Sequence, residues 1–216
     1  MYFNSLTVVV DNRAREGFQA AWGLSLLLQG DRNVLFDAGP RGEILLHNLE
    51  LCGIRPTDIQ LFFLSHNHAD HAEGMRALLE AGFEGDIYLP SDISTPSEDD
   101  RRDEPDEGIS SVGEGLDSIC LRTDMFYEQS LLARTKSGRL LIVGCAHPGL
   151  ERIWNAANTL GDITGVVGGF HGSPPFPQLE KANILGPCHC TSNIDSFRRE
   201  FPRAFRDIAA GDRIEL

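Results

Sequence analysis

The sequence predicts an α/β (α+β) fold in which two β-sheets lie face to face with helices on their outer sides. Short β-branched or leucine-rich runs predict strands, and these strands alternate with segments of helical periodicity. No repeat recurs at a fixed period. With 216 residues, 41% of them hydrophobic, the chain can bury one large core, so we expect a single domain over residues 1–216.

The first half of the chain predicts four strands and two helices. Strands are expected at residues 6–10, 23–28, 33–36 and 59–64. Leu45, Leu46 and Leu49 have helical spacing and Gly53 follows them, which predicts a helix over residues 42–52. A second helix is expected over residues 72–80, directly after a histidine-rich segment.

The second half predicts a run of strands followed by helices. Strands are expected at residues 86–89, 118–122, 130–135 and 139–143, with Lys136-Ser137-Gly138 as a hairpin turn. A helix that ends before Gly161 is predicted after them. Its buried face consists of Leu150, Ile153, Trp154, Ala157 and Leu160. A strand at 163–167, a helix at 194–201 and a strand at 212–216 complete the chain.

A metal site is predicted where His66-Asn67-His68-Ala69-Asp70-His71 follows the apolar run Leu61-Phe62-Phe63-Leu64. Imidazole nitrogens and carboxylate oxygens are ligands that zinc, iron(II) and manganese(II) accept. A solvated histidine-rich turn is the alternative, but such a turn has no reason to follow a buried strand with Asp interleaved. The first two histidines project to one side and the Asp-His pair to another, so two adjacent metal positions are expected.

This H-x-H-x-D-H pattern after a strand resembles the metallo-β-lactamase superfamily over nearly the whole chain. The resemblance implies a four-layer αββα sandwich. Further fragments in order are similar to the dihydropterin-ribofuranosylaminobenzene-phosphate synthase-like branch of that superfamily. They include Phe36-Asp37-Ala38-Gly39, Gly144-Cys145-Ala146-His147-Pro148-Gly149, Gly168-Gly169-Phe170-His171 and His189-Cys190-Thr191.

The later histidines complete the predicted ligand set. His147 follows a strongly apolar strand, and its small neighbours leave room for an ion, whereas a core histidine would have larger apolar neighbours. The resemblance implies that His189 completes the second metal position and that Asp37 orients a ligand or neighbours the metals. His171 has no counterpart among the usual ligands; it either faces the substrate as a hydrogen-bond donor or acid, or is structural.

Cys145 occupies the place at which the resemblance implies a bridging Asp. It binds as a thiolate, which favours zinc, or the bridge is absent and the second site is weak. Cys188 and Cys190 alternate with His189, so on an extended segment they point away from it and pack. The expected cofactors are therefore two divalent ions, with zinc first and iron or manganese as alternatives.

These residues predict a metal-dependent hydrolase that uses a metal-activated water on a small ester, thioester or phosphoester. Asp70 is expected to orient that water or accept its proton, with His171 as the second catalytic candidate. One alternative is a synthase-like transferase of the branch named above, and another is a metal-containing binding or sensor protein without turnover. A di-iron redox enzyme would normally carry Glu at the position of Asn67, together with a flavin domain.

Charge and composition favour a small-molecule substrate as the partner of this protein. The net charge of −13 disfavours nucleic acid and anionic lipid, although Arg13, Arg15 and Arg41 lie near loops that could reach an anionic group. No run approaches the ~20 apolar residues of a membrane span, and the start lacks the basic residues of a signal peptide, so a cytoplasmic protein is expected. Five cysteines show no disulfide framework. Residues 97–108 are expected to form a solvated acidic loop that is mobile or gates the site.

Overall fold

The computed structural model describes residues 1–90 and 107–216, so all but the last two residues of the predicted acidic loop lie outside the described residues. The strands are β1 (Phe3–Val10), β2 (Ser25–Gly30), β3 (Asn33–Phe36), β4 (Leu61–Phe63), β5 (Asp86–Tyr88), β6 (Gly108–Gly113), β7 (Leu116–Arg122), β8 (Tyr127–Thr135), β9 (Gly138–Val143), β10 (Ile163–Gly169), β11 (Ile184–Cys188) and β12 (Arg213–Glu215). The helices are α1 (Gly42–Leu51), α2 (Ala69–Ala72), α3 (Met75–Glu80), α4 (Leu150–Ala157) and α5 (Ile194–Glu200).

The strands form two halves of one hydrogen-bonded sheet. The first half runs in the order β1-β2-β3-β4-β5, and the second runs β8-β9-β10-β11. The halves are joined where Phe3 of β1 pairs with Thr135 of β8. The two predicted sheets are therefore joined into one, because this pairing between β1 and β8 makes them continuous.

Three clusters of buried apolar residues define the layers. Between the halves, side chains such as Phe36 and Phe63 pack in one cluster with Ile142. A second cluster joins α1 and α3 to the outer face of the first half, and a third joins α4 and α5 to the outer face of the second. Helix, sheet, sheet and helix thus follow in order, which confirms the predicted four-layer fold. None of the helices within 1–90 and 107–216 is long and apolar enough to cross a membrane.

The helix predicted at residues 72–80 is wrong in its bounds. The chain instead forms α2, which begins at Ala69, and then α3, with Gly74 between them. The loop after β3 lies directly against Gly74, whose N–H donates to the Gly39 carbonyl; a Cβ there would overlap the Ala38 carbonyl. This close approach brings the loop after β3 beside the histidine motif.

One edge of the sandwich collects the ends of several strands. β3 and β4 are parallel, and so are β9, β10 and β11, so each set has its carboxyl ends at one edge. Within the described residues, the non-glycine residues with positive φ are Asp37, Ala146, His171 and His189, each just after one of these strands. Backbone strain of this kind is typical of functional sites.

Candidate metal centre

The first group of donors joins the motif to the end of β9. The ligand atoms of His66, His68 and His147 all lie within 4.8 Å of one another. His66 Nε2 is 2.9 Å from His68 Nδ1, and the His147 ring centroid is 5.0 Å from that of His66. Burial, followed by the nearby His71, lowers the pKa of His66 to about 2, so this imidazole is neutral. Neutral imidazoles that converge in this way are typical of a metal site.

The second group joins α2 to the loop after β11. The ligand atoms of Asp70, His71 and His189 also lie within 4.8 Å of one another. His189 Nε2 is 3.3 Å from Asp70 Oδ2 and 3.2 Å from His71 Nε2. Burial raises the pKa of Asp70, but its contact with His189 and the proximity of His71 outweigh this, so the net pKa is lowered. The carboxylate is therefore ionised.

Cys145 lies where the two groups meet. Its Sγ is 3.2 Å from His71 Nε2, and it forms further donor groups with His66 on one side and with His189 on the other. Contact with the Cys190 thiol, followed by burial, raises the pKa of Cys145. A thiolate at this position would therefore need a cation beside it. The structure brings all seven predicted ligands together.

Cys190 was not predicted to face the centre. Its Sγ lies within 4.8 Å of the ligand atoms of Cys145 and His189. The expectation that it points away from His189 is wrong, because His189 has φ 48° and the segment is not extended there. Cys188, in contrast, is fully buried in the core between the sheet halves, where packing was predicted.

His171 lies beside the donor groups but joins none of those found among the described residues. Its ring centroid is 5.2 Å from that of His147, and the residue is exposed. The His171 carbonyl accepts the Ser192 N–H, which holds the turn after β10. This position leaves the His171 ring free to meet a ligand that approaches from solvent.

Asp37 orients the second group. Its Oδ2 is 2.6 Å from His71 Nδ1, and both residues have fully buried side chains. The same carboxylate accepts the Ser65 N–H at 2.7 Å and the Ser65 hydroxyl at 2.8 Å. Because Nδ1 faces Asp37, the His71 Nε2 atom is turned toward Cys145 and His189. A carboxylate in this relation to an imidazole selects its tautomer and its ring orientation.

Glu128, at the start of β8, orients the first group and was not predicted from the sequence. Its Oε1 accepts the N–H groups of Cys145 (2.8 Å) and Ala146 (2.7 Å). Its Oε2 accepts the His147 N–H at 2.9 Å and lies 2.7 Å from His147 Nδ1. Burial raises the pKa of Glu128, but the hydrogen bond with His147 and the nearby His66 outweigh it and hold the pKa at about 2. No sequence spacing signals this contact.

Asp11 and Asn12, directly after β1, hold the His189 loop. The His189 N–H donates to Asp11 Oδ1 at 2.8 Å. The Asn12 amide donates to the His189 carbonyl at 2.8 Å, and Asn12 Oδ1 is 3.3 Å from His189 Nδ1. These contacts explain why residues far apart in sequence meet at this edge.

The donor set fits divalent transition ions. Its histidines, carboxylate and thiol have their ligand atoms within a few ångströms of one another, and Asp37 and Glu128 contact the far sides of two of the rings. Zinc, iron and manganese each accept such donors, with the thiol favouring zinc. The arrangement supports metal-assisted chemistry on a substrate that enters from solvent.

Comparisons with known proteins point to one family. The family described as the Metallo-beta-lactamase superfamily matches residues 23–185. A curated relative from Methanocaldococcus jannaschii, the 7,8-dihydropterin-6-methyl-4-(beta-D-ribofuranosyl)-aminobenzene-5'-phosphate synthase, is 25% identical, with 92% of this chain and 91% of the relative covered.

Solved structures agree with that match. Tm1679, described as a metal-dependent hydrolase of the beta-lactamase superfamily, is 26% identical with a TM-score of 0.75, and 99% of each chain is covered. The metallo-beta-lactamase fold protein YhfI from Bacillus subtilis is 16% identical with a TM-score of 0.65. The match covers 99% of this chain and 100% of the YhfI chain. The second likeness concerns the fold alone.

Proposed function

Because this chain belongs to the metallo-beta-lactamase superfamily, we propose that it is a metal-dependent hydrolase of a small ester, thioester or phosphoester. One observation carries the proposal: two donor groups lie side by side at the edge where the strands end, and Cys145 Sγ lies within 4.8 Å of ligand atoms of both. The likeness to Tm1679, described as a metal-dependent hydrolase, supports it.

Each donor group would hold one ion. His66, His68 and His147 would hold the first, and Asp70, His71 and His189 would hold the second, with Cys145 between them. Divalent ions in such a pair supply a water of lowered pKa and polarise a substrate oxygen. Zinc is the ion that this set of donors favours.

The chain's own residues position and protonate the reactants. Asp70 is ionised and one quarter exposed, so its carboxylate can orient a water and accept its proton. His171 faces solvent beside His147, where its ring can donate a proton to the leaving group. Asp37 and Glu128 keep the His71 and His147 rings in place through buried contacts.

A synthase-like transferase is the second candidate. The observation that favours it is the relative from Methanocaldococcus jannaschii, which is matched over 92% of this chain. The same donor groups would serve either reaction, so the site does not distinguish them. Product analysis does, because hydrolysis adds the elements of water to the substrate and group transfer does not.

Hydrolysis of chromogenic esters, thioesters and phosphodiesters tests the proposal. Protein stripped with a chelator and reloaded with zinc should turn over at least one class, and the stripped protein should not. Asp70→Asn should reduce kcat by roughly a hundredfold or more, as expected for loss of a general base. The matched control is Asp162→Asn, since Asp162 is exposed and precedes β10 at the opposite edge. A metal-loaded protein inert toward every class would contradict the proposal and favour a binding or sensing role.

A further inference from the structure

We propose that three side chains form an apolar mouth over the metal centre, and that this mouth binds the acyl or aryl part of an uncharged ester, thioester or lactone. The apolar mouth consists of Trp22, Met125 and Phe126. The inference rests on the proposed function and adds the substrate class, since it selects carboxylic derivatives with an apolar group over phosphoesters.

Phe126 covers the first donor group. Its ring centroid is 5.7 Å from that of His66, 4.9 Å from that of His68 and 5.2 Å from that of His147. The turn that carries it is held by Thr123, whose N–H donates to the Phe126 carbonyl at 2.8 Å and whose hydroxyl accepts the Phe126 N–H at 2.9 Å. Phe126 is therefore positioned before any ligand arrives.

Trp22 flanks the second donor group. Its ring centroid is 5.4 Å from that of His189, yet the residue is 64% exposed. The backbone beside it is fixed, because a Cβ on Gly23 would overlap the Asp70 carbonyl and Pro40. The next N–H, of Leu24, donates to the Asp70 carbonyl. An exposed indole is thus held on a rigid support next to the metal ligands.

Exposure on this scale favours a ligand-binding role. Met125, next to Phe126 in the chain, is 91% exposed, and Trp22 beside His189 is 64% exposed, so an exposed apolar side chain accompanies each donor group. Apolar walls around a few convergent polar groups are the usual composition of a small-molecule site. Covering these side chains with a substrate chain removes their apolar surface from water and favours binding.

Two of the three arginines that the sequence places near these loops make short contacts elsewhere, and the third, Arg41, is paired with Glu43 at 3.7 Å. Arg13 donates to Asp207 at 2.9 Å and to the Ile208 carbonyl at 2.7 Å. Arg15 makes a bidentate contact with Asp212, in which Nη2 donates to Oδ2 at 2.6 Å. A phosphate group beside the donor groups would therefore meet the rings of Trp22 and Phe126, while the guanidinium groups of Arg13 and Arg15 are already paired with carboxylates. This arrangement favours an uncharged substrate chain.

Two measurements on the zinc-loaded protein test the inference. The first is kcat/KM for p-nitrophenyl acetate, butyrate, hexanoate and octanoate, with bis(p-nitrophenyl) phosphate for comparison. Full burial of a methylene is worth about fourfold, so a rise of roughly two- to fourfold per methylene is expected. Trp22→Ser and Met125→Ser should flatten this rise. The control is Tyr2→Ser, because Tyr2 is also an exposed aromatic residue (47%) but precedes β1 at its far end.

The second measurement is direct binding, read from the fluorescence of Trp22. The chain has 2 tryptophans, and Trp154 is buried, so the difference between wild type and Trp22→Phe isolates the exposed indole. Octanoate should change this signal at a lower concentration than acetate, and inorganic phosphate should need the highest.

The outcomes separate the two proposals. Ester turnover without chain-length preference, or faster turnover of the phosphodiester than of every ester, would overturn the apolar mouth and leave the hydrolase standing. An octanoate response from a metal-loaded protein that hydrolyses nothing would support the apolar mouth and overturn the hydrolase. A Trp22 signal that responds equally to octanoate, acetate and phosphate would overturn the apolar mouth whatever the turnover.

Discussion

Replacing Glu128 with glutamine should loosen the loop between β9 and α4 and weaken metal binding at the first donor group. The carboxylate accepts the N–H groups of three successive residues, 145 to 147, and contacts the His147 ring. Glutamine offers one acceptor oxygen. With its NH2 toward residues 145 and 146, two backbone N–H groups face a donor; with its NH2 toward His147, one backbone N–H faces a donor and the ring must accept through Nδ1.

The magnitude follows in two ways. Hydrogen bonds to a charged group contribute roughly 1.5–3 kcal/mol each, so the loss of one or two costs roughly 1.5–6 kcal/mol. Independently, the pKa of Glu128 is lowered from 4.5 to about 2, which at about 1.4 kcal/mol per pKa unit corresponds to about 3 kcal/mol. We therefore expect Glu128→Gln to reduce the free energy of unfolding by about 3 kcal/mol.

The pH dependence has a definite sign. Because the folded-state pKa is depressed, the ionised Glu128 stabilises the fold above its ordinary value of 4.5, and this contribution is lost as pH falls toward about 2. The stability difference between wild type and Glu128→Gln should shrink across that window.

The assay is urea unfolding of metal-free protein at several pH values, together with zinc affinity measured against a chelating competitor. Zinc affinity should fall roughly ten- to a hundredfold, as for the loss of a carboxylate behind a ligating imidazole. Glu151→Gln is the matched control, because Glu151 is exposed on α4. A destabilisation below about 1 kcal/mol, or one equal to that of the control, would refute the reasoning.

Three further predictions concern Asp37, Cys145 and Gly74. Asp37→Asn should weaken zinc binding at the second donor group roughly ten- to a hundredfold, measured by competition titration, because it removes the negative charge that faces His71 Nδ1. Cys145→Ser, with cobalt substituted for zinc, should lose any thiolate-to-metal charge-transfer absorption; an unchanged spectrum would show that the thiol is not a ligand. Gly74→Ala should destabilise the fold by roughly 1–3 kcal/mol in urea, whereas Gly172→Ala, with open space around its Cβ, should stay within about 0.5 kcal/mol.

Patterns of local sequence predicted most of the fold. The strand at 33–36 was predicted with its observed bounds, and the shared helical face of Ile153, Trp154 and Ala157 lies in the buried core as expected. β6 was not predicted because Gly108–Gly113 is a mostly exposed edge strand with two serines, so it shows no apolar run. The break at Gly74 depends on a contact with the loop after β3, which no local pattern reveals.

In the site, too, features of local sequence could be predicted and features that depend on tertiary contacts could not. The candidate ligands were predicted in two ways: the motif at residues 66–71 and His147 follow apolar strands, whereas the family resemblance implied the roles of His189 and Cys145. Parallel strands bring their ends together. Glu128 could not be predicted, since its one buried carboxylate reaches from β8 to the loop after the neighbouring strand β9. Cys190 was missed because the positive φ at His189 changes the alternation that an extended segment would follow. Local periodicity does not encode such backbone reversals.

Counting zinc per chain tests the central claim most directly. Protein dialysed against zinc and then against buffer is measured by elemental analysis for wild type, His68→Ala, His189→Ala and His47→Ala. We expect about two equivalents in wild type and about one in each of the His68 and His189 variants, since those residues belong to different donor groups. His47 contacts the Gly17 carbonyl and serves as the control, which should keep the wild-type content. Equal zinc content in all four proteins would contradict a paired metal centre at this edge.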